Sequence, residues 1–203
     1  MPERNQPRSG TQMLQAVAGE LYHLGTMLLG EGEATIHLVE RAIATAEIPA
    51  CADPETDPET DPEGGPSSAL HSARVAMAAS VIELLSGRDS RALATPVGEF
   101  GPPNCIGDDD LDAAGVSAEE LERLVSGPGR EQLREWLEGL PVAERTIFVL
   151  RAVAGLSTPE VAGLLALHGG EAARGWMTDA VRNVFRQALC SLASQLLQDS
   201  ASR

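Results

Sequence analysis

The chain has 203 residues, enough for one domain or two small ones, and its 43% hydrophobic content is sufficient to build buried cores. Aromatic residues make up only 3%, so aliphatic side chains must fill those cores. The formal net charge of −15 excludes a uniformly basic nucleic-acid binder, because such proteins neutralise phosphates with positive charge. Abundant alanine and leucine with few β-branched runs predict an all-α protein.

Cysteine, histidine and acidic residues indicate neither a disulfide framework nor a metal site. Cys51, Cys105 and Cys190 are odd in number, widely spaced and outside any CxxC motif. The four histidines are scattered, and the run 108–110 lacks the ligand spacing of a calcium loop. The sequence carries no nucleophile elbow, phosphate loop or paired catalytic acids. We therefore expect no metal, no cofactor and no enzymatic activity.

The N-terminal half shows three amphipathic patterns interrupted by an acidic insert at 51–66. The first helix is predicted from Thr11 to a Gly30–Gly32 stop, with one apolar face: Met13, Val17, Leu21, Leu24 and Leu28. The second spans Glu33 to Glu47 and is predicted to bury Ile36, Val39, Ala42, Ile43 and Ala46. The insert carries six acidic and no basic residues with proline at every fourth position of 53–63, which predicts an extended, solvated segment.

The third helix is predicted to begin at a Ser67 or Ser68 cap and to end at Gly87, with apolar positions at Leu70, Val75, Ala78, Val81, Leu84 and Leu85. An acidic flexible linker is predicted over 96–116. A capping box at 117–120 predicts a short helix through Val125, and a further helix from Arg130 to Leu140 is predicted to pack Leu133 and Trp136.

Local signals in the C-terminal stretch predict a helix-turn-helix. Pro141 can begin a helix whose buried stripe comprises Ile147, Val149, Leu150 and Val153, and Gly155 can end it. Ser157 and Glu160 form a capping box for the next helix. The last helix has apolar positions at Val181, Phe185, Ala188, Leu192 and Leu196. Its start is open between Glu171 and a later position after a long turn.

These motifs resemble a known family. Leu140-Pro141, Arg145, Phe148–Arg151, Ala154–Ser157 and Glu160–Leu165 are similar to region 4 of sigma-70-type initiation factors, in particular the small extracytoplasmic function class. The stretches Leu21–Leu24, Met27–Gly30 and Leu38–Ala42 resemble sigma region 2. The resemblance implies a region 2-like domain at 11–95 and a region 4-like domain at 117–203.

The resemblance also implies partners and candidate sites. In that family the second helix docks on RNA polymerase, which makes His37, Glu40 and Arg41 the candidate polymerase-binding residues. The last helix reads promoter DNA, and its two alternative starts offer Arg174, Thr178, Arg182, Asn183 and Arg186. We expect a cytoplasmic protein without a membrane partner, because the N-terminus is polar and no apolar run is long enough to span a bilayer.

An alternative remains open at this point. The third helix lacks the aromatic side chains that the family uses to melt DNA, and acidic residues concentrate in and beside the predicted linkers. These features predict instead a degenerate sigma-like module that binds an anti-sigma factor or another protein and has little affinity for DNA.

Overall fold

A computed structural model describes residues 10–46, 66–95, 105–115 and 130–201. These residues form helices and connecting turns without a strand, which confirms the all-α prediction. Three predicted features lie outside the described residues: the N-terminal residues 1–9, positions 51–65 of the acidic insert, and the helix predicted after Ser117. The predicted domain boundaries adjoin undescribed segments as well and stay predictions.

The first three helices are α1 (Gly10–Leu29), α2 (Glu33–Thr45) and α3 (Pro66–Arg88). Gly30 has a φ of 82°, a conformation that favours glycine, and it ends α1 at the predicted place. The predicted apolar face of α1 is buried at Val17, Leu21, Leu24 and Leu28. It packs against α2 and α3, so the helical period alone located this part of the core.

The contact of α1 with α2 corrects one predicted core residue. Ile36 is 46% exposed, whereas its neighbour Thr35 is buried. The Thr35 hydroxyl donates a hydrogen bond to the Gly30 carbonyl oxygen at 2.7 Å, and its methyl group faces the Cα of Gly25. Because this polar group is satisfied locally and fits against a glycine, the helix is rotated so that Ile36 faces outward.

Helix α3 begins earlier than predicted and is buried on more than one face. Pro66 is its first residue, so Ser67 and Ser68 lie inside the first turn and the predicted serine cap is wrong. Leu70, Val75 and Leu84 are only partly buried. The small side chains of Ala73 and Ala78 are fully buried and let neighbouring helices approach closely. Met77, Val81 and Ile82 are fully buried as well.

The predicted linker contains a short helix, α4 (Asp108–Ala113). Gly107 provides an extended N-cap, and the acidic residues of the first turn face the positive end of the helix dipole. The expectation of no disulfide is wrong here. Cys105 is bonded to Cys190, and their Cα atoms lie 5.8 Å apart. The two cysteines are 85 residues apart in sequence, so only the tertiary fold brings them together.

The C-terminal half contains α5 (Arg130–Gly139), α6 (Val142–Phe148, continued by a π-helical turn over Val149–Val153), α7 (Thr158–His168) and α8 (Thr178–Ala201). The predicted stripe of α6 is buried, Pro141 directly precedes the helix, and Gly155, with a φ of 66°, stops the chain from continuing as a helix. These predictions are confirmed.

Aromatic rings hold α5, α6 and α8 together. The rings of Trp136 and Phe148 meet edge to face at 4.9 Å, and Phe148 lies 6.1 Å from Phe185. The Arg151 guanidinium, in the π-helical turn, sits 5.0 Å from the Phe185 ring centroid and donates a hydrogen bond to the Leu156 carbonyl oxygen. A buried arginine is thus compensated by a cation–π contact and a backbone acceptor.

Helix α3 also packs against α7, so residues of both halves form one contiguous core. Two histidine–carboxylate pairs bridge the helices at 2.9 Å, His71 with Glu160 and His168 with Glu83. The Ser86 hydroxyl donates to the Gly169 carbonyl oxygen at 2.9 Å. The polar contacts fix the register of α3 on α7, while the apolar core beneath supplies most of the stabilisation.

Candidate functional site

The helix-turn-helix is predicted over the segment in which the structure has α7, a turn of residues 169–177 and α8. The Ser157 hydroxyl accepts a hydrogen bond from the Glu160 amide, and the Glu160 carboxylate accepts one from the Ser157 amide at 2.7 Å. This capping box is the predicted one. The Ser157 hydrogen bonds, followed by the nearby His71, lower the pKa of Glu160, because both favour the charged carboxylate.

The long turn of residues 169–177 settles where the last helix starts. Glu171–Ala173 form a 3₁₀ turn, and α8 begins at Thr178, so the later of the two predicted starts is correct. Trp176 anchors the turn: its indole is buried and donates a hydrogen bond to the Leu93 carbonyl oxygen at 2.8 Å. Sequence reasoning did not assign this role to Trp176, because Leu93 lies 83 positions away.

The five candidate DNA-binding residues fall on two neighbouring parts of this unit. Arg174 is exposed in the turn, and Thr178 is the first residue of α8. Arg182, Asn183 and Arg186 are half-buried, and their spacing of three and four residues places them on one side of α8. The opposite side, which includes Val181 and Phe185, is buried in the core.

Acidic side chains offset part of the positive charge at this site. Glu171 lies 2.7 Å from Arg174, and Asp179 lies 3.9 Å from Arg182. These pairs are largely exposed, so each contributes little to stability, on the order of 0.2–1 kcal/mol. Their effect on long-range attraction is larger, because each acid cancels an arginine charge that a phosphate would otherwise meet.

The disulfide brings an acidic segment to the same side of α8. Cys190 follows Asn183 by seven residues and Arg186 by four, so all three side chains share one helical face. Cys105, bonded to Cys190, leads within three residues into α4, where Asp109 and Asp110 are exposed. The disulfide therefore connects the acidic α4 to the side of α8 that carries Asn183 and Arg186.

The candidate polymerase-binding residues lie on the outer face of α2. His37 and Glu40 are exposed and form a 3.2 Å contact between Nδ1 and Oε2. Arg41 donates to the Ser80 carbonyl oxygen of α3 at 3.5 Å. Ile36, which was predicted to be buried, is exposed one turn before Glu40 on this face. Ile36 thus adds one aliphatic side chain to the charged outer face of α2.

Among the residues that the structure describes, no group of three or more His, Cys, Asp and Glu side chains could hold a metal ion. The expectation that no apolar run is long enough to span a bilayer is wrong by length and composition, because Ala69–Arg88 of α3 meets both criteria. In this fold the same helix packs against α1, α2 and α7.

Comparison of the chain with protein-family models, with curated proteins and with solved structures finds no match.

Proposed function

We propose that this chain is a sigma-like transcription regulator that binds RNA polymerase core and carries it to promoter DNA. In this proposal the helices of 11–95 correspond to a region 2-like domain and those of 117–203 to a region 4-like domain. One arrangement carries it: a capped α7, a turn anchored by Trp176, and an α8 whose half-buried Arg182 and Arg186 lie on the side opposite Val181 and Phe185. Helix-turn-helix proteins read DNA with the leading turns of such a helix.

The α2 face supports the polymerase part of the proposal. Ile36, His37 and Glu40 are exposed together on it, and Arg41 flanks them. Burying an aliphatic side chain inside a charged rim gives both affinity and orientation. The proposal places the protein in the cytoplasm, where the polymerase is.

Polymerase binding is the first test. The fluorescently labelled chain is titrated with RNA polymerase core at low salt, and anisotropy reports the dissociation constant. We expect saturable binding that weakens at least tenfold when His37, Glu40 and Arg41 are replaced together by alanine. Arg134→Ala, which changes an exposed arginine of α5, is the matched control and should bind as wild type does. The absence of binding to core polymerase would rule out the sigma-like function.

DNA contact is tested separately by the salt dependence of binding to a duplex pool. The slope of log K against log[salt] is about −0.9 per neutralised phosphate. Replacing Arg182 and Arg186 by glutamine should therefore make the slope less steep by about 1.8 if each contacts one phosphate. Arg134→Gln should leave the slope unchanged, and a double variant with an unchanged slope contradicts the assigned role of α8.

A second candidate function is a sigma-like protein-binding module with little DNA affinity, which would occupy polymerase or an anti-sigma factor. The observation that favours it is the position of the acidic α4, which the Cys105–Cys190 bond holds beside the Asn183 and Arg186 side of α8. Polymerase binding without DNA binding, in both the disulfide-bonded chain and Cys190→Ser, would select this function. DNA binding that appears only in Cys190→Ser would instead make α4 an inhibitor of the first function.

A further inference from the structure

A cleft opens where the C-terminal ends of α1 and α3 face α5 and α6. Its volume is about 490 Å³, within the range of about 300–1,000 Å³ that small-molecule sites occupy. Its residues come from both halves of the chain. None of its lining residues is a candidate DNA-binding or polymerase-binding residue, so an inference about it does not depend on the proposed function.

The floor of the cleft is aliphatic. Met27 and Leu29 contribute from α1, and Leu133 and Leu137 contribute from α5. Leu137 is buried, whereas the other three are only partly covered by the rest of the chain. An apolar chain placed on this floor would remove the remaining aliphatic surface from water, which is the main source of affinity at such sites.

The rim of the cleft carries more positive than negative charge, in contrast to the chain as a whole. Arg88, Arg134 and Arg145 line it, against the carboxylates of Glu31 and Glu138. Glu138 forms an ion pair with Arg134, with Oε1 of the carboxylate 2.9 Å from Nε of the guanidinium. This hydrogen bond, with the charge of the same carboxylate, raises the pKa of Arg134. Among the described residues, neither Arg88 nor Arg145 has an ion-pair partner.

Arg145 is the most informative of these groups. Its Nε is buried, and no acceptor among the described residues bonds to it. A guanidinium that has no acceptor can bind a carboxylate through two parallel hydrogen bonds. The geometry thus combines an aliphatic floor with a guanidinium that lacks its acceptor.

We propose that this cleft binds an amphipathic carboxylate, such as a medium-chain fatty acid, with its hydrocarbon chain on the aliphatic floor and its carboxylate on Arg145 and Arg88. Because α1 and α3 supply one wall and α5 and α6 the other, the bound molecule would hold the two halves of the chain together. A ligand that binds only the folded chain also raises its free energy of unfolding.

Calorimetric titration of the full chain tests the proposal with three eight-carbon probes that differ in head group: octanoate, 1-octanol and octyltrimethylammonium. We expect octanoate to bind at least tenfold more tightly than octanol and the cationic probe to bind weakest. Decanoate should bind more tightly than octanoate, by about fourfold for each added methylene group. Equal affinity for octanoate and octanol, or a preference for the cation, would overturn the proposal, as would the absence of saturable decanoate binding.

Variants then assign the head-group contact. Arg145→Gln should weaken octanoate at least tenfold and leave octanol unchanged, because the floor is intact. Arg91→Gln, which changes an exposed arginine in the turn after α3 and outside the cleft, is the matched control and should change neither affinity. If Arg145→Gln does not fold, Arg88→Gln replaces it, and the comparison of probes on the wild-type chain remains decisive. Loss of octanoate and octanol to the same extent would refute a carboxylate-binding role for the substituted arginine.

Discussion

Two glycines of α1 allow the packing of α1 on α2 to be tested with the same chemical change at two sites. Gly19 is exposed, and a methyl group added there would meet no atom within 4 Å. A methyl group added at Gly25 would lie 2.6 Å from Cγ2 of Thr35 and 2.9 Å from Cε of Met77. Met77 ends in a flexible group that can move aside, but the hydrogen bond of Thr35 to Gly30 prevents its methyl from rotating away.

We expect Gly19→Ala and Gly25→Ala to change the free energy of unfolding differently. Alanine is about 0.8–1.0 kcal/mol more favourable than glycine inside a helix, so Gly19→Ala should raise the free energy of unfolding by about that amount. Gly25→Ala gains the same propensity but adds an overlap, and overpacking of this kind costs about 1–3 kcal/mol. The difference between the two variants cancels the propensity and measures the overlap, which we expect to be about 1–3 kcal/mol.

Urea unfolding followed by far-UV circular dichroism gives both free energies under one fixed redox condition. Thr35→Ser provides the rescue, because it removes the obstructing methyl and keeps the hydroxyl that bonds Gly30. In a double-mutant cycle Gly25→Ala and Thr35→Ser should couple favourably by about 1 kcal/mol or more. If Gly25→Ala were as stabilising as Gly19→Ala, the close approach of α1 and α2 would be wrong.

Three further predictions concern the disulfide and the cap of α7. Cys190→Ser opens a loop between residues 85 apart, which should lower the free energy of unfolding in urea by about 4–5 kcal/mol if the chain-entropy treatment holds; equal midpoints with and without reductant would contradict the bond. Ser157→Ala should cost about 1 kcal/mol and Ser157→Thr much less, whereas equal losses would mean that the hydroxyl is not the cap. The pKa of Glu160 is lowered in the folded chain, so its stabilisation is complete above the unfolded value of about 4.3 and disappears as the pH falls through the folded value. The loss caused by Glu160→Gln should accordingly be measurable at pH 7 and shrink as the pH falls below about 4.3, and a pH-independent loss would contradict this origin.

The disulfide also bears on where the protein acts. Stable disulfides are rare in a reducing cytosol, and the proposed function requires that compartment. A cytosolic function and the Cys105–Cys190 bond are compatible if the bond forms only under oxidising conditions. Cys105 is exposed, so small-molecule reductants can reach it. Alkylation of thiols in freshly lysed cells, followed by mass spectrometry, would show which state the protein has there.

Periodicity and composition predicted most of the helices but not all of the core. The face of α1 and the stripe of α6 were correct because each is a single apolar stripe, and such a stripe fixes which side is buried. The prediction that Ile36 is buried was wrong because hydrophobicity favours burial of Ile36 over Thr35. The helical period does not take into account a hydroxyl group that finds its acceptor at Gly30. The predicted buried positions of α3 were partly wrong for another reason. This helix is covered on several faces, so no single apolar stripe describes its buried residues.

The positions of the candidate residues could be predicted from the sequence only in part. The spacing of Arg182 and Arg186 already placed them on one side of a helix, and the structure shows that this side is half-buried and opposite the core positions Val181 and Phe185. The start of α8 could not be chosen from the sequence, because Trp176 fixes the turn through a carbonyl oxygen 83 positions away. The cleft lined by Arg145 had no signal at all, since its walls are distant in sequence.

By itself the sequence determined the helical class, the stop at Gly155 and the capping box of Ser157 and Glu160. These features depend on interactions within about four residues, so the local order of side chains is sufficient to specify them. Tertiary structure alone decided the Cys105–Cys190 bond and the packing of α3 on α7. Both join residues more than 80 positions apart, and such contacts arise only when burial of several helices has already fixed how they lie against one another.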